Sequence, residues 1–301
     1  HTAVPTPGQF RHWITIDGSA GPSGDAGFAA AAGRYHLYVS SACPCSHRVM
    51  LLRRLKGLVP IVGMSVVNPE PDQQGWHFRP GRGVIPDPVL QAEHLHQLYT
   101  AAITDYSGRV TVPVLWDRQR NTIVSNESGD IMQMFNRAFD DLGAKAVDFY
   151  PAAQASAIDE LNDAIANGLN SAVYRSGLAT SQDEYEAAVL QVFETLAELE
   201  RRLSEQRYLC GAEVTLADWR LFVSLVRFDA VYAGLFKCNI KPLSAFPQLS
   251  HYLRDLYQYP GVSETVDIQA CKLYYYRAHP ALNPTRLVPL GPALDLSAAH
   301  D

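Results

Sequence analysis

The stretch "RYHLYVSSACPCSHRVMLLRRLKGL", residues Arg34 to Leu58, decides the fold. Its opening "YHLYV" (Tyr35 to Val39) is a short aromatic and β-branched run and reads as a strand. After it Val49, Leu51, Leu52, Leu55 and Leu58 recur at helical spacing, with a stop near Gly57. Cys43 and Cys45 therefore fall between a strand and the N-terminus of a helix. Free backbone amides and the helix dipole at such a junction lower a thiol's pKa, which makes Cys43 a candidate thiolate at neutral pH. His47 and Arg48 place basic side chains in the same turns. From local sequence alone, a small buried hydrophobe describes Cys43 equally well.

Cys45 makes a Cys-x-Cys dithiol with Cys43. Bridging i to i+2 across a proline forces disulfide geometry away from its favoured form, so such a bond would be strained and oxidising. A zinc site has little support, because no second Cys or His pair stands at ligand spacing. Cys210, Cys238 and Cys271 read as packing residues.

Working outward, "VPIVGMSVV" (Val59 to Val67) is a second apolar strand, expected to lie parallel to the first through the helical crossover. The Pro-, Gly- and His-rich stretch from Asn68 to Leu90 has no periodicity. Loops of that length inside a compact domain are usually functional or disordered, and Trp76 favours the functional reading. "RVTVPVLWD" (Arg109 to Asp117) and "NTIVS" (Asn121 to Ser125) alternate as two further strands, and "NESGDIMQMFN" (Asn126 to Asn136) starts a helix. The order β-α-β-loop-β-β-α is that of a thioredoxin-like α/β domain. Beyond Asp141 the pattern turns helical: Ile158, Leu161, Ile165 and Leu169 keep the period, as do Tyr185, Val189, Phe193, Leu196, Leu199 and Leu203. Ser181 with Glu184, and Thr215 with Asp218, fit capping boxes. The expected organisation is an N-terminal arm over 1–34, a thioredoxin-like domain over 35–142 and an all-helical domain over 152–301, the boundary lying in "DLGAKAVDFYPA" (Asp141 to Ala152).

The bulk numbers exclude some classes of function. A chain of 301 residues with 47% hydrophobic and 19% charged residues is ordinary globular protein, and its net charge of −6 offers no global basic field for nucleic acid or an anionic membrane. Five cysteines without regular spacing point to a reducing compartment rather than a disulfide framework. No apolar run approaches the roughly 18 residues of a membrane span, and the opening residues lack a secretory pattern, so the cytoplasm is the expected location.

Two further places invite chemistry. A proline at the start of a strand facing a reactive turn, as in Val112-Pro113, is a candidate cis bond that leaves the preceding backbone open to a peptide-like ligand; an edge-strand proline is the plainer alternative. Asn126-Glu127-Ser128 at a helix N-terminus offers amides and a hydroxyl to a carboxylate, although simple N-capping explains it as well.

Taken together, these residues resemble the glutathionyl-hydroquinone reductases, the Xi class of glutathione transferases. The likeness runs through Gly33 to Leu58, "GW.F" at Gly75, Trp76 and Phe78, "LHQLYT" (Leu95 to Thr100), "GRVTVPVLWD" (Gly108 to Asp117) and "TIVSNES" (Thr122 to Ser128). It continues in "ADWRLFVSLVRFDAVYAGLFKCN" (Ala217 to Asn239) and "YYYRAHPALNPTRLVPLGP" (Tyr274 to Pro292), and spans roughly residues 9 to 292. The resemblance implies a thioredoxin-like glutathione-binding domain, an all-helical second domain, a homodimer, glutathione as co-substrate and no metal. It makes Cys43 the nucleophile, packs Trp76 on glutathione, pairs the backbone of Arg109, Val110, Thr111 and Val112 with it, and holds its γ-glutamyl end at Glu127 and Ser128. Tyr174 matches the family's proton donor, and Tyr232 and Tyr275 match tyrosines credited with stabilising the thiolate; without the resemblance all three would read as core tyrosines.

The implied reaction is reduction of a glutathionyl-hydroquinone, an aromatic thioether, to the hydroquinone through a Cys43-glutathione mixed disulfide. Where the family carries Cys-Pro-Trp-Ala-His-Arg, this chain has Cys45 for Trp and Ser46 for Ala, a departure that bears on substrate choice. A thiol-disulfide oxidoreductase or dehydroascorbate reductase with Cys45 as resolving thiol is the second reading, and a binding module with a vestigial site the third.

Overall fold

The structure, a computed structural model, describes residues 10–299; residues 1–9 of the expected arm and 300–301 of the expected second domain lie outside the described residues. The chain divides into two compact units. Among the described residues, one comprises 10–148 and Glu264–Tyr274; the other comprises Phe149–Ser263 and 275–299.

The first unit is built on a four-stranded sheet, β1 (Tyr35–Val39), β2 (Gly63–Val66), β3 (Val114–Asp117) and β4 (Thr122–Ser125), in the order β2-β1-β3-β4. β1 and β2 are parallel, while β3 is antiparallel to both β1 and β4. Helix α1 (Pro44–Leu55) makes the crossover, the short α2 (His96–Ala102) follows the long loop, and α3 (Ser128–Arg137) packs beside α1. This is the expected thioredoxin-like order with one added helix, α2. Both strands flanking prolines are shorter than their apolar runs. Val62 ends in the turn after α1, where its carbonyl accepts from Arg53 Nε at 2.7 Å, and the β3 ladder starts only after the Val112-Pro113 bond, which is cis. Gly57 sits at φ +70° and closes α1: its N–H donates to the Arg54 carbonyl and that of Leu58 to Arg53, the Schellman ending that a left-handed residue permits.

Residues 10–34 form no regular element longer than a bridge, yet they are laid along the sheet rather than left loose. Phe10, Trp13, Ile14 and Phe28 are buried, His12 N–H donates to the Val124 carbonyl at 2.9 Å, and Arg34 joins the backbone of Gly27 and Ala29 to the fully buried Asp117 through a two-point ion pair. The order of this Gly- and Ala-rich segment comes from these four buried apolar side chains together with the backbone and guanidinium bonds.

The second unit is helical: α4 (Ala155–Ile165), α5 (Ala172–Leu178), α6 (Gln182–Glu205), α7 (Leu216–Arg227) and α8 (Pro247–Gln258), with α9 (Ile268–Ala278) passing from one unit into the other. α7 is buried along its length apart from Arg220, as expected for a helix apolar on nearly all sides. π-helical turns interrupt the pattern at Ala166–Asn170 and Phe228–Tyr232. Of the two capping boxes, that at Thr215 is complete, with Asp218 Oδ2 accepting from the Thr215 N–H at 2.7 Å and its hydroxyl at 2.8 Å. At the other, Ser181 accepts from the Glu184 N–H, but the Glu184 carboxylate reaches one residue further back, to Thr180. Asp218 also takes the Leu209 N–H and the Tyr252 hydroxyl on its other oxygen, so one buried carboxylate ties α7, the preceding loop and α8 together. Because Asp218→Ala would leave these donors unmet in a dry environment, it is expected to cost about 2–4 kcal/mol in a urea melt, and a loss below roughly 0.5 kcal/mol would contradict this role.

Candidate active site

Cys43 is the N-cap residue of α1, at φ −78° and ψ 126°, with Pro44 in the first helical position. The turn that carries it is fixed by backbone bonds from Cys43 N–H to the Ser40 carbonyl at 3.2 Å and from His47 N–H to the Cys43 carbonyl at 2.9 Å. Ser46 completes it: its buried hydroxyl accepts from the Ser40 N–H at 3.2 Å. The hydroxyl gives the Ser40 amide an acceptor that an alanine at this position could not supply. His47 is buried and its Nε2 lies 2.8 Å from the Thr265 hydroxyl, and Arg48 is buried as well.

The Cys43 sulfur is half-buried and lies 3.8 Å from the Val112 carbonyl. Its ionisation departs from what its helix address suggests. The Cys45 thiol, in hydrogen-bond contact with it, and then burial hold the Cys43 thiol well above the ordinary thiol range, while the Ser46 and Cys45 amides pull it back down. The amides act as expected, but two thiols side by side share their protons, and once one is ionised the second is retained. The expectation of a simple lowered pKa is corrected accordingly.

Cys43, Trp76 and Val110 pack against one apolar cluster formed by Tyr38, Phe78, Leu95, Tyr99, Val112 and their neighbours. The long loop that carries Trp76 is pinned at several points: the Trp76 carbonyl accepts from Leu95 N–H at 2.9 Å, Phe78 N–H donates to Glu93 at 2.8 Å, and His94 Nε2 meets Asp72 at 3.0 Å. Tyr274, on α9, stacks on the Trp76 indole at 4.9 Å and 27°. Burial, and after it the neighbouring Cys43, holds its phenol well above the usual range, so it stays protonated beside the sulfur.

The remaining residues of this unit are held by one buried hydroxyl. Tyr99 OH donates to the Thr111 carbonyl at 2.8 Å and accepts from the Thr111 N–H at 3.1 Å and from Asn126 Nδ2 at 3.2 Å. It therefore joins the Thr111–Val112 segment to the residue before Glu127. Glu127 is the N-cap of α3 and its carboxylate accepts from Gly129 N–H at 3.3 Å; Ser128 is buried at the first helical position. Arg109 is exposed, and its carbonyl takes the Tyr106 hydroxyl at 2.7 Å. Asp130, one turn into α3, is paired with Arg11.

In the helical unit the three tyrosines come together. The Tyr174 and Tyr275 hydroxyls share a short hydrogen bond, and the Tyr232 ring lies 5.9 Å from Tyr275 and 6.3 Å from Tyr174. Phe236 is their common neighbour, with ring centroids at 5.2 Å from Tyr174 and 5.8 Å from both Tyr232 and Tyr275. Burial and the two partner phenols hold Tyr275 well above the ordinary tyrosine range, against a smaller opposing pull from the buried Arg227.

Sequence reasoning missed Tyr99, Tyr274, Phe236 and Gly177. Their signals were present only as packing: Tyr274 adjoins a tyrosine already chosen, and Gly177 stands one turn beyond Tyr174. A Cβ at Gly177 would lie 2.2 Å from the Phe236 ring, so the glycine admits the ring at the centre of the cluster. Gly→Ala inside a helix ordinarily gains up to about 1 kcal/mol; at Gly177 the overlap reverses the sign, and Gly177→Ala is expected to lose about 1–3 kcal/mol in a denaturant melt. A gain in stability would contradict the packing described.

A thioredoxin-like unit with a thiol at its first helix, joined to a helical bundle, defines a glutathione transferase. The family model for the glutathione S-transferase N-terminal domain matches residues 42–138 and that for the C-terminal domain residues 182–255, and the chain belongs to this family. Within it the chain is 51% identical over 292 residues to the glutathionyl-hydroquinone reductase YqjG of Escherichia coli (strain K12), covering 97% of this chain and 89% of that protein. It is 46% identical over 272 residues to the glutathionyl-hydroquinone reductase PcpF of Sphingobium chlorophenolicum, covering 90% and 87%. The glutathione-bound structure of Escherichia coli K-12 YqjG superposes with a TM-score of 0.95, over 97% of this chain and 95% of that one. The Xi-class transferase from Natrialba magadii gives 0.93 at 44% identity, over 98% and 88%.

Proposed function

We propose that this chain reduces glutathionyl-hydroquinones to hydroquinones with glutathione as co-substrate. The observation that carries the reading is Cys43 itself, a half-buried thiol at the N-terminus of α1 with the Cys45 and Ser46 amides directed to it and the Trp76–Tyr274 stack in the same unit. Likeness to the two named reductases and to the glutathione-bound structure supports the substrate and the thiol.

In this reading Trp76 packs on glutathione, the Arg109–Val112 backbone pairs with its peptide, and Glu127 and Ser128 hold the γ-glutamyl end. The Cys43 thiolate attacks the thioether sulfur, the carbon–sulfur bond breaks, and its electron pair stays on the aromatic carbon. Tyr174 delivers the proton that carbon takes up, and Tyr232 and Tyr275 stabilise the thiolate. Cys43 is left as a mixed disulfide, and thiol exchange returns it to the thiol at the net expense of two glutathionyl units, the one it carries and one from free glutathione, which leave as oxidised glutathione.

The same reading makes the partner a small quinone-derived thioether, the active form a homodimer and the compartment the cytoplasm. Among the described residues no helix is long and apolar enough to cross a membrane, and no three His, Cys, Asp or Glu side chains are grouped to hold a metal ion.

Chromatographic assay of hydroquinone release tests the assignment. Cys43→Ser is expected to abolish turnover, and retention of most activity would remove Cys43 as nucleophile. Tyr174→Phe is expected to lower kcat by about 10²–10⁴-fold, the usual contribution of a positioned proton donor. Because the thiol must ionise and Tyr275 is held protonated, kcat/KM should rise with pH through the thiol ionisation. A fall setting in below about pH 10 and abolished by Tyr275→Phe would contradict that assignment.

A further inference from the structure

Cys45 is the second residue of α1, half-buried, and its thiol is in hydrogen-bond contact with the Cys43 sulfur. Thiol exchange needs an attacking sulfur within contact of the disulfide and in line with the bond that breaks. The Cys43 sulfur faces the Val112 carbonyl, the amides of its own turn and the Cys45 thiol. An external glutathione would have to enter a site already holding a glutathionyl group. A thiol built into the same turn has no such approach to make.

We propose that Cys45 resolves the Cys43-glutathione mixed disulfide from within the chain, so that one turnover leaves a Cys43-Cys45 disulfide and a free glutathione. This rests on the function proposed above. The Cys45 thiol gives up its proton, its sulfur bonds to the Cys43 sulfur, and the bond from Cys43 to glutathione breaks. Glutathione departs as thiolate and takes up a proton. The two electrons that reduce the thioether come from the dithiol, which is oxidised to the disulfide. Glutathione then restores the dithiol in two exchanges, the first re-forming a mixed disulfide and the second releasing oxidised glutathione, so the overall stoichiometry is unchanged.

The strain of an i to i+2 bridge fits this role rather than opposing it. Strained disulfides have higher reduction potentials and are the labile, catalytic ones, so the bridge serves as an intermediate that glutathione readily opens. The addresses of the two thiols also divide the work. Cys43 is the N-cap beside Val112, and Cys45 is the second residue of the helix, inside its first turn.

The test is intact-protein mass with a parallel assay of free glutathione. Reduced, desalted protein is mixed with one equivalent of a glutathionyl-hydroquinone, and separately with oxidised glutathione, which loads Cys43 without any hydroquinone chemistry. Samples are acid-quenched at successive times, and the expected result in both arms is a species lighter by two hydrogens that forms before the released glutathione reopens it. The first arm should also release one free glutathione per hydroquinone. Cys45→Ser and Cys45→Ala should instead accumulate one glutathione on Cys43, with the free glutathione of the first arm lost. A glutathione adduct on wild-type Cys43 in both arms, with no species lighter by two hydrogens at any time, would overturn the proposal. An internal disulfide from oxidised glutathione, with no hydroquinone released in the other arm, would uphold the role of Cys45 and overturn the substrate assignment instead.

Discussion

The turn from β1 into α1 is the constraint on which the site depends. Three bonds define it: Cys43 to the Ser40 carbonyl, Ser40 to the Ser46 hydroxyl, and His47 to the Cys43 carbonyl. Together they end the strand and start the helix within a few residues, and fix where the thiol of its N-cap residue points. Helix α9 supports this turn, since the buried Cys271 thiol lies 3.8 Å from the Ser41 and Ala42 carbonyls. Tyr274, one turn along the same helix, lies against Trp76. That a segment so late in the chain belongs to the first unit follows from this packing, because the turn exposes carbonyls that β1 and α1 cannot themselves satisfy.

Each unit assembles its candidate site residues around one buried aromatic ring. In the first, the Tyr99 hydroxyl fixes both the Thr111–Val112 segment and Asn126, so two parts of the site distant in sequence share one anchor. In the second, Phe236 stands among Tyr174, Tyr232 and Tyr275 and is admitted by Gly177. Buried polar groups in these positions stay satisfied because each phenol is both donor and acceptor. The π-helical turns stand at the same places, one ending at Tyr232 and the other four residues before Tyr174, and such turns recur at functional sites because they re-aim side chains.

Much of this was legible in the sequence where local chemistry and periodicity agree. The β1–turn–α1 stretch, the succession of strands and helices along the first unit and the helical second half all follow from hydrophobic spacing, and Thr215-Leu-Ala-Asp218 announces its own helix start. The ends of β2 and β3 were not legible, because each apolar run continues beyond the paired residues: residues 59–62 lie in the turn after α1, and Pro113 has no N–H to give to a ladder. Neither was the ordered path of residues 10–34, which is set by scattered anchors without a period, namely buried Phe10, Trp13, Ile14 and Phe28 and the reach of Arg34 to Asp117. The ionisation of Cys43 escaped prediction for a related reason: helix amides can be counted along a chain, whereas the contact between two thiols depends on rotamers. Tyr99 and Phe236 were invisible because a single core aromatic carries no periodic signal that separates anchoring a site from filling space.

A crystal structure of the Cys43→Ser variant with glutathione would test the central claim most directly. The glutathione sulfur should lie against the residue 43 side chain, with its peptide along Val112, its γ-glutamyl carboxylate at Glu127 and Ser128, and Trp76 packed on it. Glutathione bound away from residue 43, or with its sulfur turned from it, would contradict the assignment of Cys43 as the residue that receives the glutathionyl group.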